Sequence, residues 1–212
     1  MEALSIILSI ICSLVIGYLF GSISNGVIIG KLFFNIDVRT LGSHNAGGTN
    51  TGRVLGKKIG LITIILDMLK TMIAMWIVLL IARIPSVNQI LYLDPSYLVY
   101  IAGVGACIGH TFPVFFQFRG GKAVACMFGI LFATNYLFAL IGIAAFALFF
   151  FTTKYVSVGS MAAGVVVAGI SFIPNFSQMF MNFAMVGDLY YSLFLIFVAL
   201  YVIVRHHQNI AR

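Results

Sequence analysis

The segment richest in groups that can do chemistry runs from Asp37 to Arg53 and reads DVRTLGSHNAGGTNTGR. Its candidate donors for an anion are the side chains of Ser43, Asn45, Thr49, Asn50 and Thr51. Its glycines let the backbone turn tightly, and successive N–H groups in such turns form anion-binding concavities. Arg39 and Arg53 add guanidinium groups, which hold phosphate through two parallel hydrogen bonds. This composition favours a phosphate-binding loop over a solvated linker.

A second candidate lies at Gly120-Gly121-Lys122, which follows Pro113 and precedes an apolar stretch. A Gly-Gly turn leading into a helix directs N–H groups and the positive end of the helix dipole toward an anion. The pattern predicts a phosphate site with Lys122 as its cation. The alternative is a tight turn between helices with an interfacial lysine.

Two weaker candidates follow later in the chain. Ser157 and Ser160 are three residues apart and share a helix face, although serines in membrane helices often bond to their own backbone. His206 and Asn209 are also three apart, and a histidine there can donate to phosphate or carry a proton. The alternative for this last segment is a basic anchor after the final span.

Several other kinds of site are excluded or disfavoured. Only five carboxylates are present, and none are paired at metal-ligand spacing near these clusters, so we expect neither metal nor cofactor. No Walker A loop, no G-x-S-x-G motif and no His-x-x-x-x-Asp pair occurs. The three cysteines are far apart in apolar stretches and are interpreted as packing residues.

The elements that must position these residues are membrane helices. The 212-residue chain is 62% hydrophobic and only 8% charged, with a net charge of +7. A soluble fold of this size cannot bury so much apolar surface, and no long basic face is available for nucleic acid. We therefore expect one multi-pass domain over residues 1–212. Asp67 and Lys70 fall inside a predicted span, three residues apart, and are expected to pair.

The apolar runs predict where the spans lie. They are Leu4–Ile29, Ile59–Ile81, Tyr97–Phe116, Val156–Ile173, Leu189–Val204 and the longer stretch Ala123–Phe151. The long stretch is either one tilted helix or a pair broken near Thr134-Asn135. The distribution of Lys and Arg favours the pair, because a seven-helix bundle with its N-terminus outside and its C-terminus cytoplasmic leaves only Arg83 in an outer loop. That topology places nearly every polar cluster on the cytoplasmic face.

These motifs, in this order, resemble the bacterial acyl-phosphate:glycerol-3-phosphate acyltransferase family (PlsY). The resemblance runs from about residue 17 to 212. It is carried by Gly21-Ser-Ile23, Asp37–Arg53, Leu66-Asp-Met-Leu-Lys70, Gly109-His-Thr-Phe-Pro113, Gly120-Gly-Lys-Ala-Val124, Tyr155–Ser160 and His206-His-Gln-Asn209.

The resemblance implies a seven-helix integral enzyme of the bacterial inner membrane. That family transfers a fatty acyl group from acyl phosphate to the 1-hydroxyl of glycerol 3-phosphate, without metal or coenzyme A, and releases lysophosphatidic acid and phosphate. The resemblance implicates four residues of the first motif in phosphate binding: Ser43, Asn45, Thr49 and Arg53. It links three residues of the second motif to glycerol 3-phosphate: Gly120, Gly121 and Lys122. It also implicates Ser157, Ser160, His206 and Asn209 in the last two motifs of the chain. Arg53, Lys122, His206 and Asn209 are the predicted catalytic set.

The chain departs from the family pattern at a few places. His44, Ala46 and Gly48 stand where glycine, proline and alanine are common, and Thr71 replaces a usual glycine. The family usually carries a glutamate shortly after the last motif, which this sequence lacks. Two other functions use similar features: an organic-anion transporter or channel, and a structural lipid-binding membrane protein. A transporter should show internal repeats and polar groups at mid-membrane, and neither is evident.

Overall fold

The structure is a computed structural model that describes residues 2–173, 176 and 189–207. This part of the chain is all α-helical and contains no β-strand. Its helices are α1 (Glu2–Gly21), α2 (Asn25–Phe34), α3 (Gly48–Leu55), α4 (Lys57–Ala82), α5 (Pro85–Asn88), α6 (Pro95–Thr111), α7 (Val124–Thr134), α8 (Tyr136–Thr153), α9 (Val156–Ile170) and α10 (Leu189–Arg205).

Four segments are long and apolar enough to cross a membrane. They are Glu2–Phe34, Lys57–Ala82, Pro95–Phe116 and Tyr136–Thr153. Three shorter apolar helices, α7, α9 and α10, have between 10 and 17 residues. Many large apolar side chains on these helices stay exposed, which is expected of surfaces that face lipid.

The chain forms two compact units, residues 1–129 and 130–212. In the first unit, α1 packs along α6, while α4 packs against α1, α3 and α6. The α1–α6 contact is close because glycines of each helix lie against the backbone of the other; they are Gly17, Gly21, Gly105 and Gly109. In the second unit, α9 packs against both α8 and α10.

The prediction of one continuous first span over Leu4–Ile29 is wrong in detail. The helix stops at Gly21 and restarts at Asn25. Ser22 donates its hydroxyl back to the Tyr18 carbonyl at 2.7 Å, and Lys70 Nζ donates to the Ile23 carbonyl at 2.5 Å. Irregular backbone inside an apolar layer needs such internal partners, and a lysine from another helix provides one. A hydropathy pattern contains no sign of this long-range contact.

The long stretch Ala123–Phe151 is divided at Asn135, as the pair interpretation requires. Asn135 is fully buried and extended (φ −151°, ψ 104°) between α7 and α8. Its side-chain oxygen accepts hydrogen bonds from the N–H groups of Leu137 and Phe138, at 3.1 and 3.2 Å. An asparagine at this position caps the new helix, which explains why the break falls where it does.

Candidate active site

Asn50 lies at the centre of the first candidate phosphate-binding segment, Asp37–Arg53 (the first loop). This side chain is 1% exposed. Its oxygen accepts from the N–H and the hydroxyl of Ser43, at 2.7 and 3.1 Å. Its nitrogen donates to three main-chain carbonyls, those of Val38 (2.7 Å), Leu41 (3.1 Å) and Asn45 (2.9 Å). Both polar atoms are therefore engaged within the loop, so Asn50 fixes the loop's conformation.

The loop leads directly into α3, whose first turn offers main-chain donors. The Asn45 side-chain oxygen accepts from the N–H of Gly47 at 2.9 Å and so shapes the entry to the helix. The next N–H groups, those of Gly48 and Thr49, precede the first hydrogen bond of the helix. Thr49 and Arg53 are four residues apart, share one face of α3 and are both exposed. Together with the exposed Ser43, they can reach an anion in solution.

The Gly120-Gly121-Lys122 turn (the glycine turn) lies against the end of α6. The Gly120 N–H donates to the Thr111 carbonyl at 3.1 Å, and the Gly121 N–H donates to the His110 carbonyl at 2.9 Å. A Cβ on Gly121 would overlap the His110 imidazole, so glycine is needed for this close approach. Lys122 is half-buried and precedes α7 by two residues.

The two predicted phosphate segments touch. The Ala46 N–H in the first loop donates to the Gly120 carbonyl at 3.5 Å. Ala46 also belongs to a small apolar core with Val27 and Val38, against which Phe116 packs. The structure therefore brings the first loop and the glycine turn together, although they are about seventy residues apart in sequence.

A buried polar network supports the turn from the side of the helices. Asp67 and Lys70 form the predicted pair, with Nζ to Oδ1 at 2.9 Å and both side chains below 5% exposure. Lys70 also lies 3.0 Å from His110 Nδ1, and Asn25 donates to Asp67 at 2.9 Å. An ammonium group only donates, so His110 accepts at Nδ1 and carries its proton on Nε2, the atom that faces Gly121.

Arg39 and Asp37 form an ion pair in the first loop. The Arg39 guanidinium binds the Asp37 carboxylate through Nε–H and Nη2–H, at 3.0 and 2.8 Å. These hydrogen bonds hold the pKa of Asp37 well below its usual range, with a smaller contribution from the charge of Lys31. Asp37 is therefore ionised at neutral pH and forms an ion pair with Arg39. Sequence reasoning counted Arg39 only as a loop cation.

In the second unit, the described site residues are Ser157, Ser160 and His206. Ser160 is buried, and its hydroxyl donates to the Val156 carbonyl at 2.8 Å within its own helix. Ser157 is half-buried on the same helix. His206 is 4% exposed, directly after α10, and its Nδ1 lies 2.8 Å from the Val202 carbonyl. Asn209 lies outside the described residues.

The Val202 contact determines the tautomer of His206. A carbonyl oxygen only accepts, so Nδ1 carries the proton, and in the neutral ring the lone pair is on Nε2. In the neutral ring, Nε2 is therefore the nitrogen that can accept a proton. Within residues 2–173, 176 and 189–207, no three His, Cys, Asp or Glu side chains gather as metal ligands.

The first unit thus contains a candidate phosphate-binding loop in contact with the glycine-lysine turn, and the second unit contains a histidine with a defined tautomer. Comparison with known proteins shows the family. A family model described as glycerol-3-phosphate acyltransferase matches residues 11–212. Proteins named glycerol-3-phosphate acyltransferase are similar over nearly the whole chain. That of Lactiplantibacillus plantarum is 40% identical, covering 97% of this chain and 88% of its own. That of Enterococcus faecalis is 37% identical with the same coverage.

A crystal structure of PlsY, an integral membrane glycerol 3-phosphate acyltransferase, in its glycerol 3-phosphate form is similar in fold. The TM-score is 0.76 at 32% identity, covering 96% of this chain and 91% of that one. Its lysophosphatidic acid form gives a TM-score of 0.75 at 31% identity over the same shares. This chain is therefore an all-helical, multi-pass membrane protein and belongs to the glycerol-3-phosphate acyltransferase family.

Proposed function

We propose that residues 1–212 form one membrane acyltransferase domain. It transfers a fatty acyl group from acyl phosphate to the 1-hydroxyl of glycerol 3-phosphate at the cytoplasmic face of a bacterial inner membrane. The products are lysophosphatidic acid and inorganic phosphate. The observation that carries the proposal is the contact between the first loop and the Gly120–Lys122 turn, through Ala46 and Gly120. Two phosphate-binding segments in contact suit a reaction between two phosphate-bearing substrates.

The chemistry needs little beyond placement and charge. The substrate hydroxyl oxygen forms a bond to the acyl carbonyl carbon, and the bond from that carbon to the phosphate oxygen breaks. Phosphate leaves with the electron pair, so no covalent enzyme intermediate and no metal are required. Holding the two reactants in line accounts for much of the acceleration. Arg53, Lys122 and the N–H groups of the loop offset the repulsion between two anions and stabilise the developing charge.

The binding roles follow the exposure of each group. Thr49, Arg53 and Ser43 present exposed donors to a phosphate. Lys122 binds the phosphate of glycerol 3-phosphate in our proposal. Gly120 and Gly121 shape that subsite, because their N–H groups donate to the Thr111 and His110 carbonyls and so fix the turn that precedes Lys122. Asn45 and Asn50 contribute through the shape of the loop, because their side chains bond to it. Ser157, Ser160 and Asn209 complete the proposed substrate-binding set.

The hydroxyl proton has two possible acceptors. One is His206, whose Nδ1–H bond to Val202 places the lone pair on Nε2. The other is a phosphate oxygen of the acyl phosphate. His206→Ala distinguishes them. If His206 is the base, its loss lowers kcat by on the order of a hundredfold or more. A small loss confined to KM for glycerol 3-phosphate assigns the proton to the substrate.

Acyl transfer by the purified protein tests the proposal. We expect palmitoyl phosphate and glycerol 3-phosphate to give equal amounts of lysophosphatidic acid and phosphate, unaffected by a metal chelator. Palmitoyl-coenzyme A should not replace the acyl phosphate. Arg53→Gln should nearly abolish turnover, whereas Lys58→Gln, which removes another exposed cation from the start of α4, should not. Uptake of glycerol 3-phosphate into vesicles without ester formation would favour a transporter instead.

We also propose seven spans with the N-terminus outside and the C-terminus in the cytoplasm. The Lys and Arg distribution supports this topology. Arg83 and Lys154 are both exposed and lie at opposite faces in this topology. With Cys12 replaced by serine, Arg83→Cys should react with an impermeant maleimide only from outside and Lys154→Cys only from the cytoplasmic side. Labelling of both from one side would contradict the seven-span topology.

A further inference from the structure

The Asp37–Arg39 pair joins the first loop to the segment that precedes the glycine turn. Besides its two bonds to Asp37, Arg39 donates from Nη1 to the Phe116 carbonyl at 2.6 Å and to the Arg119 carbonyl at 3.2 Å. Its side chain is 9% exposed. One guanidinium thus ties two segments about eighty residues apart in sequence and stands next to Gly120.

The segment that Arg39 holds has an unfavourable backbone. Gln117 (φ 61°), Phe118 (φ 57°) and, after the turn, Ala123 (φ 62°) all have left-handed conformations without being glycine. Each such residue is strained, because in this conformation its Cβ comes close to the following carbonyl oxygen. A segment of this kind persists only when its surroundings hold it. The two carbonyls that Arg39 binds, those of Phe116 and Arg119, flank the two strained residues.

We propose that Arg39 is a positioning residue for Lys122 and the glycine turn, with Asp37 as its orienting partner. The inference rests on the proposed function of the turn in binding glycerol 3-phosphate. Arg39 sets the conformation of residues 116–119, and these residues fix where the turn begins. Asp37 orients the guanidinium, and its own charge is stabilised by that contact.

The geometry distinguishes this role from direct phosphate binding. Arg39 directs Nε, Nη1 and Nη2 at four protein acceptors, and its charge is paired with Asp37. Arg53, in contrast, is exposed on α3. A lysine in place of Arg39 keeps a positive charge but has no planar fork. Its three N–H bonds radiate from a single nitrogen atom, so they do not reproduce the four contacts that Arg39 makes through three nitrogens.

Kinetics of Arg39→Lys and Arg39→Gln test the proposal. We expect kcat/KM for glycerol 3-phosphate to fall on the order of tenfold for lysine and a hundredfold for glutamine, since displacements near 1 Å have effects of that size. Lys31→Gln is the matched control. Lys31 approaches the same Asp37 carboxylate at 3.5 Å but is 55% exposed, and should behave as wild type. Wild-type kinetics for both Arg39 variants would overturn the proposal.

A double-mutant cycle shows whether Arg39 acts through Lys122. In a Lys122→Ala background, Arg39→Lys should cost less than twofold, because the group that it positions is gone. If the fold-losses in kcat/KM of the two single variants multiply in the double variant, Arg39 acts independently of Lys122, and the proposal is overturned.

A labelling experiment separates this inference from the proposed reaction. Lys122→Cys, made with Cys12→Ser, should react with a charged maleimide at a rate that Arg39→Lys changes at least threefold, while Lys31→Gln leaves it unchanged. Equal rates in a protein with the same unfolding midpoint would refute the positioning role. Wild-type protein that fails to transfer acyl groups would refute the proposed function, while a changed labelling rate would still support the structural link.

Discussion

Gly60 offers a direct way to displace the face of α3 that we propose binds phosphate. In the packing of α3 on α4, a Cβ added at Gly60 would lie 2.6 Å from the Gly52 Cα and 2.8 Å from the Gly48 carbonyl oxygen. Both atoms belong to the backbone, so no side chain can rotate away. Carbon atoms pack at about 3.5 Å or more, so Gly60→Ala must move α3 by roughly 0.9 Å.

That movement should reach the site because α3 carries Thr49 and Arg53. A misplacement of about 1 Å can lower a rate on the order of a hundredfold, which corresponds to about 2.7 kcal/mol of transition-state stabilisation. We expect kcat/KM for glycerol 3-phosphate to fall by that factor. The assay is phosphate release from acyl phosphate at varied glycerol 3-phosphate, with the unfolding midpoint in detergent as a check on folding.

Gly52→Ala is the matched control. It adds the same methyl group on the other side of the contact, but the nearest atom, the Gly60 Cα, lies 3.4 Å away. Both substitutions gain about 1 kcal/mol of helix propensity, so that effect cancels in the comparison. Gly52→Ala should remain within about threefold of wild type, far less than the hundredfold expected for Gly60→Ala. Wild-type kinetics for Gly60→Ala, or equal losses for the two variants, would refute the reasoning.

Three further changes test other parts of the site. Asn50→Asp replaces a nitrogen that donates to three carbonyls with an oxygen that only accepts. We expect a lower unfolding midpoint and a KM for glycerol 3-phosphate that is higher by on the order of tenfold. A wild-type KM would contradict the role of the loop. Asp67→Asn leaves the buried Lys70 charge uncompensated. The free energy of unfolding, measured in denaturant, should fall by about 3–5 kcal/mol, and adding Lys70→Met should restore part of it. Arg39 lowers the pKa of Asp37 in the folded protein. This carboxylate therefore stabilises the fold above about pH 4, and the stabilisation is lost as the pH falls toward the lowered pKa. The difference in unfolding midpoint between wild type and Asp37→Asn should therefore narrow below pH 4, and a constant difference would contradict the ion pair.

Much of this fold could be predicted from local sequence. Apolar runs predicted the approximate positions of α4, α6, α9 and α10. The Lys and Arg distribution favoured a break within Ala123–Phe151, where Asn135 caps a new helix. The spacing of Asp67 and Lys70 predicted their pairing, which the structure confirms at 2.9 Å. The cap at Asn135 and the Asp67–Lys70 pair are local signals, each within a few residues of its consequence, whereas the Lys and Arg distribution is a signal from the whole chain.

The parts that sequence reasoning missed depend on distant partners. The break at Ser22–Ser24 is stabilised by Lys70, a residue of α4, through the Ile23 carbonyl. Arg39 binds main-chain carbonyls about eighty residues away, and carbonyls are present at every position, so residue type gives no sign of them. His110 similarly acquires its role from Lys70 and Gly121, which only the packing of α4 and α6 brings together.

In our proposal the Gly120–Lys122 turn holds the phosphate of glycerol 3-phosphate, next to the first loop. An experimental structure of the wild-type protein with glycerol 3-phosphate bound measures this directly. We predict that the phosphate lies within hydrogen-bond distance, about 3 Å, of the Lys122 ammonium group. A phosphate bound away from Lys122, in a protein that retains full acyl transfer, would contradict the account.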